Sequence, residues 1–392
     1  ASGATIQILL FGILAIEIKR RAPHAHTLCE LVNARWGPPG GGSSFVHITF
    51  IFFSFMCNII VTGMLLLGGA ATVTALTGFS TEWASFLIPW SVIAYTCAGG
   101  LKATFLASYI HTAIIFIVLI TMVYTVYVKR FSSDIIYDLL EYNSKMSGAE
   151  CDALYSDGTD TFTGDNTYAC GGSLSNASKS YLTMVSGGGL MFGIINIIGN
   201  FGTVFVDQAY WQSGIAAKPE AAYKGYMLGG LVWFTIPFAL ATSLGLCGVA
   251  LQLPITAAEA GSGLVPPAVA THLFGTPGSL MIAIMLFMAI VSTGSAESIA
   301  VSSIIAYDIY GTYGNKSPTS DDILKISRIT VIIFGLIMGV LSIILFKMGL
   351  NPLNHPPKKE PSSKPIPQIF MGSTGLTSHL NGLSPVLHIH VV

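Results

Sequence analysis

Charge is what this sequence has least of. Lys and Arg number 18 and Asp and Glu 19 in 392 residues, or 9% of the chain, where a soluble domain carries about 25%. A globule of this size in water needs far more polar surface to cover its core. The formal net charge of −1 offers no basic footprint to a phosphate backbone, so no nucleic-acid partner is expected. The motifs of enzyme chemistry are missing as well. There is no HExxH run, no Ser/His/Asp constellation and no phosphate-cradling glycine loop, so neither catalysis nor a cofactor is expected. His24-Ala25-His26 lacks a convincing third ligand, and no metal is expected. A charged amino-terminal region leading to a small-residue cleavage site is absent too, so no signal peptide is expected.

What is there is apolar. Hydrophobic residues make up 52% of the chain and glycine contributes 42 positions. Eight apolar stretches stand out, at 2–18, 45–67, 84–98, 105–128, 181–206, 226–253, 279–306 and 329–346. Most approach the roughly 20 residues that cross about 30 Å of hydrocarbon. The first is short because the chain begins inside it, and the third is marginal. The expected architecture is all-α, a polytopic helix bundle over 1–350 embedded in a lipid bilayer. From Asn351 the chain has seven prolines, Ser-rich stretches and no helical period, so 351–392 reads as a disordered tail.

Basic residues set the expected orientation. Lys19, Arg20, Arg21 and Arg35 follow the first stretch, Lys102 the third, Lys218 and Lys224 the fifth, and Lys316, Lys325 and Arg328 the seventh. Those loops belong inside, and loop 131–180 outside. Cys151 and Cys170 are the two cysteines of that outer loop and can pair in an oxidising compartment. Asn176-Ala177-Ser178 is a glycosylation acceptor triplet, usable only on that side. The remaining four cysteines read as small apolar fillers.

Polar groups inside apolar stretches are the informative ones, because each costs free energy unless paired or facing water. The fifth stretch carries Gly187-Gly188-Gly189, Gly193, Asn196 and Gly199-Asn200-Phe201-Gly202-Thr203. A glycine costs a helix about 1 kcal/mol against alanine. That load reads as a broken helix presenting backbone and the Asn200 amide to a polar solute, or as a close-packed small-residue seam. In the seventh stretch, positions 289, 292, 293 and 296 share one face. The hydroxyls of Ser292 and Thr293 are hard oxygen ligands suited to a small cation, or bonds back to their own helix. Glu297, one turn beyond Thr293, is a carboxylate able to carry a proton. Asp207 and His111 are lesser relay candidates. His111 also reads as a packing residue, and Asp207 as an interfacial one.

One segment carries a family signature. Tyr95-Thr96-Cys97-Ala98-Gly99-Gly100-Leu101-Lys102-Ala103 resembles that of the sodium:solute symporter family. Glu17–Thr27, Gly199–Asp207 and Leu264-Val265-Pro266-Pro267 resemble the plant and fungal urea active transporters. The resemblance covers roughly 1–350. It implies two five-helix inverted repeats with alternating access, incomplete here. The eight stretches would be core helices two to nine, with the first core helix and the carboxy-terminal ones lacking, as in a fragment or an aberrant gene product.

By the same resemblance, Ala289, Ser292 and Thr293 fall on the second sodium-site pattern. Asn200 and Thr203, with Asn196 a turn before, fall on the substrate-facing stretch. Where relatives carry an acidic residue after the signature, this chain has Leu106-Ala107-Ser108, and where they tend to have Asn-Gln it has Asp207-Gln208. The missing carboxylate weakens the case for sodium and suits protons. The expectation is a plasma-membrane urea–proton symporter with H+ as coupling ion, protein partners unspecified. Runners-up are a sodium (Na+) symporter of another small solute, a non-transporting receptor on the same scaffold and a passive urea channel.

Overall fold

A computed structural model describes residues 2–37, 45–147, 149–151, 171–173, 176–183, 185–255, 259–260, 263–315 and 317–348. The expected tail at 351–392 lies outside these residues. Among the described residues the structure is helical, with one isolated β-bridge joining Asn176 to Ser186.

The chain runs through α1 (Ser2–Arg21), α2 (Leu28–Trp36), α3 (Phe45–Thr77) and α4 (Thr81–Tyr124), which continues as a π-helical end (Thr125–Arg130). After α5 (Ser133–Lys145) come α6 (Gly187–Val206), α7 (Gln208–Ala216) and α8 (Pro219–Leu240). A π-turn (Ala241–Gly245) joins α8 to α9 (Leu246–Ala250). Then follow α10 (Val265–Phe274), α11 (Thr276–Ser303) with its π-helical extension (Ile304–Gly314), and α12 (Ser320–Lys347). Helices dominate because in hydrocarbon every backbone N–H and C=O must be satisfied within its own segment.

Among the described residues six segments are long and apolar enough to cross a membrane: Phe45–Thr77, Thr81–Arg130, Gly187–Val206, Pro219–Ala250, Thr276–Gly314 and Ser320–Lys347. Eight stretches were expected. The 20-residue α1 is not among the six, and the third and fourth stretches form one continuous helical run. That run nonetheless reverses at Gly100, whose φ of 54° and ψ of −150° interrupt the helix. On the near side of Gly100, the Tyr95 hydroxyl donates to Val291 O at 3.1 Å. On the far side, Ser108 Oγ lies 2.9 Å from Ser292 Oγ. Both arms therefore meet α11 at one level, as a hairpin does.

α11 is the axis of the bundle, packed by α3, both arms of α4, α10 and α12. Its Ile282 and Met285 join Val118 and Met122 of α4, Ile136 and Leu140 of α5 and Val269 of α10 in one apolar cluster. A second cluster ties α1 and α2 to α7 through Phe11, Val32 and Trp211. The Trp211 indole donates to Phe205 O at 2.7 Å. α12 approaches α4 so closely that a Cβ at Gly335 would stand 2.6 Å from Ile93 Cδ1.

The helix expected to break among its glycines does not. α6 is uninterrupted from Gly187 to Val206, and the break falls at Asp207, whose backbone is extended (φ −78°, ψ 114°). Glycine weakens a helix but leaves its N–H in the ladder, so glycines alone do not open one. The open end of α6 is met by α3 instead: Ser54 Oγ donates to Val206 O at 2.9 Å and Cys57 Sγ to Thr203 O at 3.7 Å.

Gly100 occupies a backbone region essentially reserved for glycine, yet a Cβ there would meet nothing within 4 Å. Gly100→Ala therefore isolates the backbone term, and should destabilise by about 1–3 kcal/mol. The check is a lower thermal unfolding midpoint of the detergent-solubilised protein. An unchanged midpoint would mean the reversal does not need glycine.

Candidate functional site

The break between α6 and α7 builds the site. Asp207 caps α7, its Oδ1 accepting the Ala209 N–H at 2.8 Å. An acidic residue suits a helix N-terminus, where unpaired N–H groups and the dipole favour negative charge. The same Oδ1 accepts from Asn58 Nδ2 of α3 at 2.8 Å. The amide also donates to Glu297 Oε2 of α11 at 2.6 Å. Asp207 and Glu297 thus meet across a shared donor, the Asn58 amide nitrogen. Asn58, Asp207 and Glu297 expose 0%, 1% and 2% of their surface. Two carboxyl groups enclosed around one neutral amide, away from water, favour sharing a proton over carrying two charges.

Glu297 and Asp207 were separate relay candidates in the sequence, 90 positions apart, and the fold brings them together. Asn58 was missed. Its signal was an amide inside a long apolar run, the same kind of signal that singled out Asn200. His111, the third relay candidate, is buried on α4 well short of this pair in the chain, with Nδ1 unpartnered among the described residues. It sits one turn beyond Ser108, on the same face.

The expected solute-binding residues are arranged along α6. Asn200 Nδ2 donates to Asn196 Oδ1 at 2.5 Å, Asn196 Nδ2 to Phe192 O at 2.8 Å, and Thr203 Oγ1 to Gly199 O at 3.1 Å. Asn196 and Asn200 are half-buried and Thr203 is exposed. The expected cation ligands lie on one stripe of α11, with Ala289 and Ser292 half-buried and Thr293 exposed. Ser292 meets Ser108 of α4, so two hydroxyls from different helices share a hydrogen bond here.

Among the described residues no group of three or more His, Cys, Asp or Glu side chains is placed to hold a metal ion. Cys151 is disulfide-bonded, and Cys170 lies outside the described residues. Cys29, Cys57, Cys97 and Cys247 are free thiols. Asn176 Nδ2 donates to Ser180 O at 2.9 Å within a short turn.

The sodium:solute symporter family model matches residues 1–355. The urea-proton symporter DUR3 of Oryza sativa subsp. japonica is 55% identical over 354 residues, covering 90% of this chain and 47% of the rice protein. The probable urea active transporter 1 of Schizosaccharomyces pombe is 43% identical, covering 86% and 48%. The urea active transporter of Saccharomyces cerevisiae is 37% identical, covering 90% and 45%. The chain thus spans about half the length of the curated relatives it matches. A solved structure of a Na+-coupled sialic acid symporter, substrate-bound and outward-open, superposes with a TM-score of 0.56 at 14% identity, covering 88% of this chain and 71% of that one. The fold is shared with that symporter. A multi-pass bundle whose signature turns at Gly100 and whose length is matched by one family model leaves a single assignment: the chain belongs to the sodium:solute symporter family.

Proposed function

We propose that the full-length protein takes up urea together with protons across the plasma membrane, by alternating access. The observation that carries this reading is the buried Asp207–Glu297 pair bridged by Asn58, two carboxyl groups suited to sharing one proton. Ionisable residues inside membrane segments mark ion and proton routes. Urea is neutral and planar, with amide donors and one carbonyl acceptor. An amide-lined, weakly charged surface such as the Asn196–Asn200 stretch suits it better than one dominated by charge. Relatives named as urea symporters and urea transporters support the same solute, and a transporter rather than an enzyme. Sodium coupling is the less supported alternative, because Ser108 brings a hydroxyl where a carboxylate would strengthen a cation site.

The test is labelled-urea uptake by the full-length protein in cells lacking their own urea transport. Uptake should saturate, rise when the outside is acidified and ignore replacement of sodium. Urea flux indifferent to the proton gradient would sink the coupling, and flux that needs sodium would favour the alternative. Glu297→Gln removes one titratable half of the pair and should abolish stimulation by outside acid at normal surface expression; an unchanged pH profile would remove Glu297 from the relay. Asn200→Ala should raise the KM for urea about fivefold, the worth of one hydrogen bond. A wild-type KM for that variant would take Asn200 out of the site.

A further inference from the structure

A second buried acid lies on the same two helices as the first. Along α3, His47, Ile51, Ser54 and Asn58 are buried on one face. His47 precedes Asn58 by eleven residues, about three turns of 3.6. Along α11 and its extension, Asp308 follows Glu297 by the same interval. The two helices run antiparallel, so Asn58 meets Glu297 at one level and His47 meets Asp308 at the next. Ile51 and Ile304 pack with Cys29 in an apolar cluster, and on each helix that isoleucine falls between the two levels.

At the second level, Thr27 Oγ1 donates to Asp308 Oδ1 at 2.9 Å and His47 Nε2 stands 3.3 Å from the same oxygen. His47 Nδ1 is 2.7 Å from the Tyr313 hydroxyl. Both the imidazole and the carboxylate are fully buried. Asp308 Oδ2 is buried with no hydrogen-bond partner among the described residues. The π-helical winding of 304–314 is what permits this arrangement. In an α-helix, positions five apart stand about 140° from one another, whereas the wider i→i+5 turn returns Tyr313 to the side of Asp308.

Titratable and charged groups reach this acid from each element around it. His47 comes from α3, and His26, Cys29 and Glu30 from α2 and the turn before it. Tyr307 and Tyr313 come from its own segment. α7 contributes only neutral Gln208, which accepts from Leu28 N at 3.1 Å and donates to His26 O at 3.1 Å. Asp207 therefore belongs to the upper level while its neighbour Gln208 fastens the turn that holds the lower one.

A cavity of about 590 Å³ lies next to these levels, lined by neighbours of Asp207, Glu297 and Asp308 and not by those three side chains themselves. Gln212 lines it and donates to Ala296 O, next to Glu297, at 2.9 Å. His26 and Tyr307 line it as well, their rings stacked 4.2 Å apart, each one residue from a member of the lower level. Thr96 Oγ1 and Gln212 Oε1, buried side-chain atoms of two lining residues, lack partners among the described residues. Room and unpaired polar groups are what hold water inside proteins. Lys19, His24 and Arg328 also line the cavity, which places it on the basic, inner side of the membrane.

We propose that Asp308 is a second proton site, on the inner side of the Asp207–Glu297 pair, through which the transported proton leaves. The proposal rests on the proton-symport reading. The carboxyl pair gives one proton to cavity water and becomes doubly ionised. Water passes that proton to Asp308 Oδ2, turning the carboxylate into the acid, while Thr27 and His47 hold Oδ1. Asp308 then returns the proton to water on the inner side and is a carboxylate again.

The experiment uses the full-length protein in sealed vesicles with inner and outer pH set separately, and reads labelled-urea uptake. The wild type should be stimulated by outside acid and inhibited by inside acid. Asp308→Asn should lower uptake about tenfold, a typical coupling loss, keep the stimulation by outside acid and lose the inhibition by inside acid. His47→Gln should shift the inside pH at which inhibition is half-complete. A merely structural role predicts the same fractional loss at every inside pH, and that result, or an Asp308→Asn profile like the wild type, overturns the proposal. Should Asp308→Asn not reach the membrane, an unshifted His47→Gln midpoint overturns it. A wild type that answers outside acid but ignores inside acid overturns this proposal alone. A wild type that ignores outside acid overturns the proton-symport reading itself.

Discussion

The rest of the bundle depends on one amide. Asn58 has two N–H donors, and each goes to a different carboxyl group, one at the α6–α7 break and one in the middle of α11. Hydrogen bonds to charged groups contribute about 1.5–3 kcal/mol each, and unpaired carboxylates at this depth cost more than that. Three segments distant in sequence are thereby fixed at one point. α3 cannot move away from α11 without stripping Glu297, and the α6–α7 joint cannot straighten without stripping Asp207. Under the proposed proton symport, a proton shared by the two carboxyls is the adjustable part of this arrangement, and its loss would leave two negative charges facing a single neutral donor.

The surroundings follow from that joint. The carbonyls at the end of α6 are taken up by Ser54 and Cys57, so the break is supported on the face of α3 that also carries Asn58. One residue further along, Gln208 clamps the turn into α2. α11 is buried on several sides because both arms of the α4 hairpin, α3, α10 and α12 all need an apolar partner. It can carry ionisable groups at two levels for the same reason: each is enclosed by protein rather than lipid. The switch from α to π winding at Ile304 adds the lower level without a break in the backbone.

Legibility from the sequence differed between kinds of residue. The apolar runs marked the helices directly, because the membrane demands length and low charge of every spanning segment. Gly99-Gly100 marked the turn between the third and fourth runs, where only glycine takes the required backbone. Glu297 and Asp207 stood out because a carboxylate within or beside an apolar run needs an explanation. The glycine-rich stretch was read as a broken helix, and that helix is unbroken: the chain departs from helical backbone only at Asp207, where a carboxylate caps the next helix, because glycines leave the ladder intact. Asn58, His47 and Asp308 went unnoticed because a lone polar residue shows its meaning only beside its partner.

By itself, then, the sequence determined that this chain is a membrane helix bundle and that Asp207 and Glu297, carboxylates within or beside apolar runs, needed partners. Those are local properties, set by the transfer of each segment into hydrocarbon. Only the tertiary structure decided that Asp207, Glu297 and Asn58 form one site, that Ser108 meets Ser292, and that Asp308 stands three turns below with His47 and Thr27. Such pairings depend on the antiparallel register of α3 against α11 and on the hairpin at Gly100. No short-range pattern encodes that register, because it is set by packing between segments hundreds of residues apart.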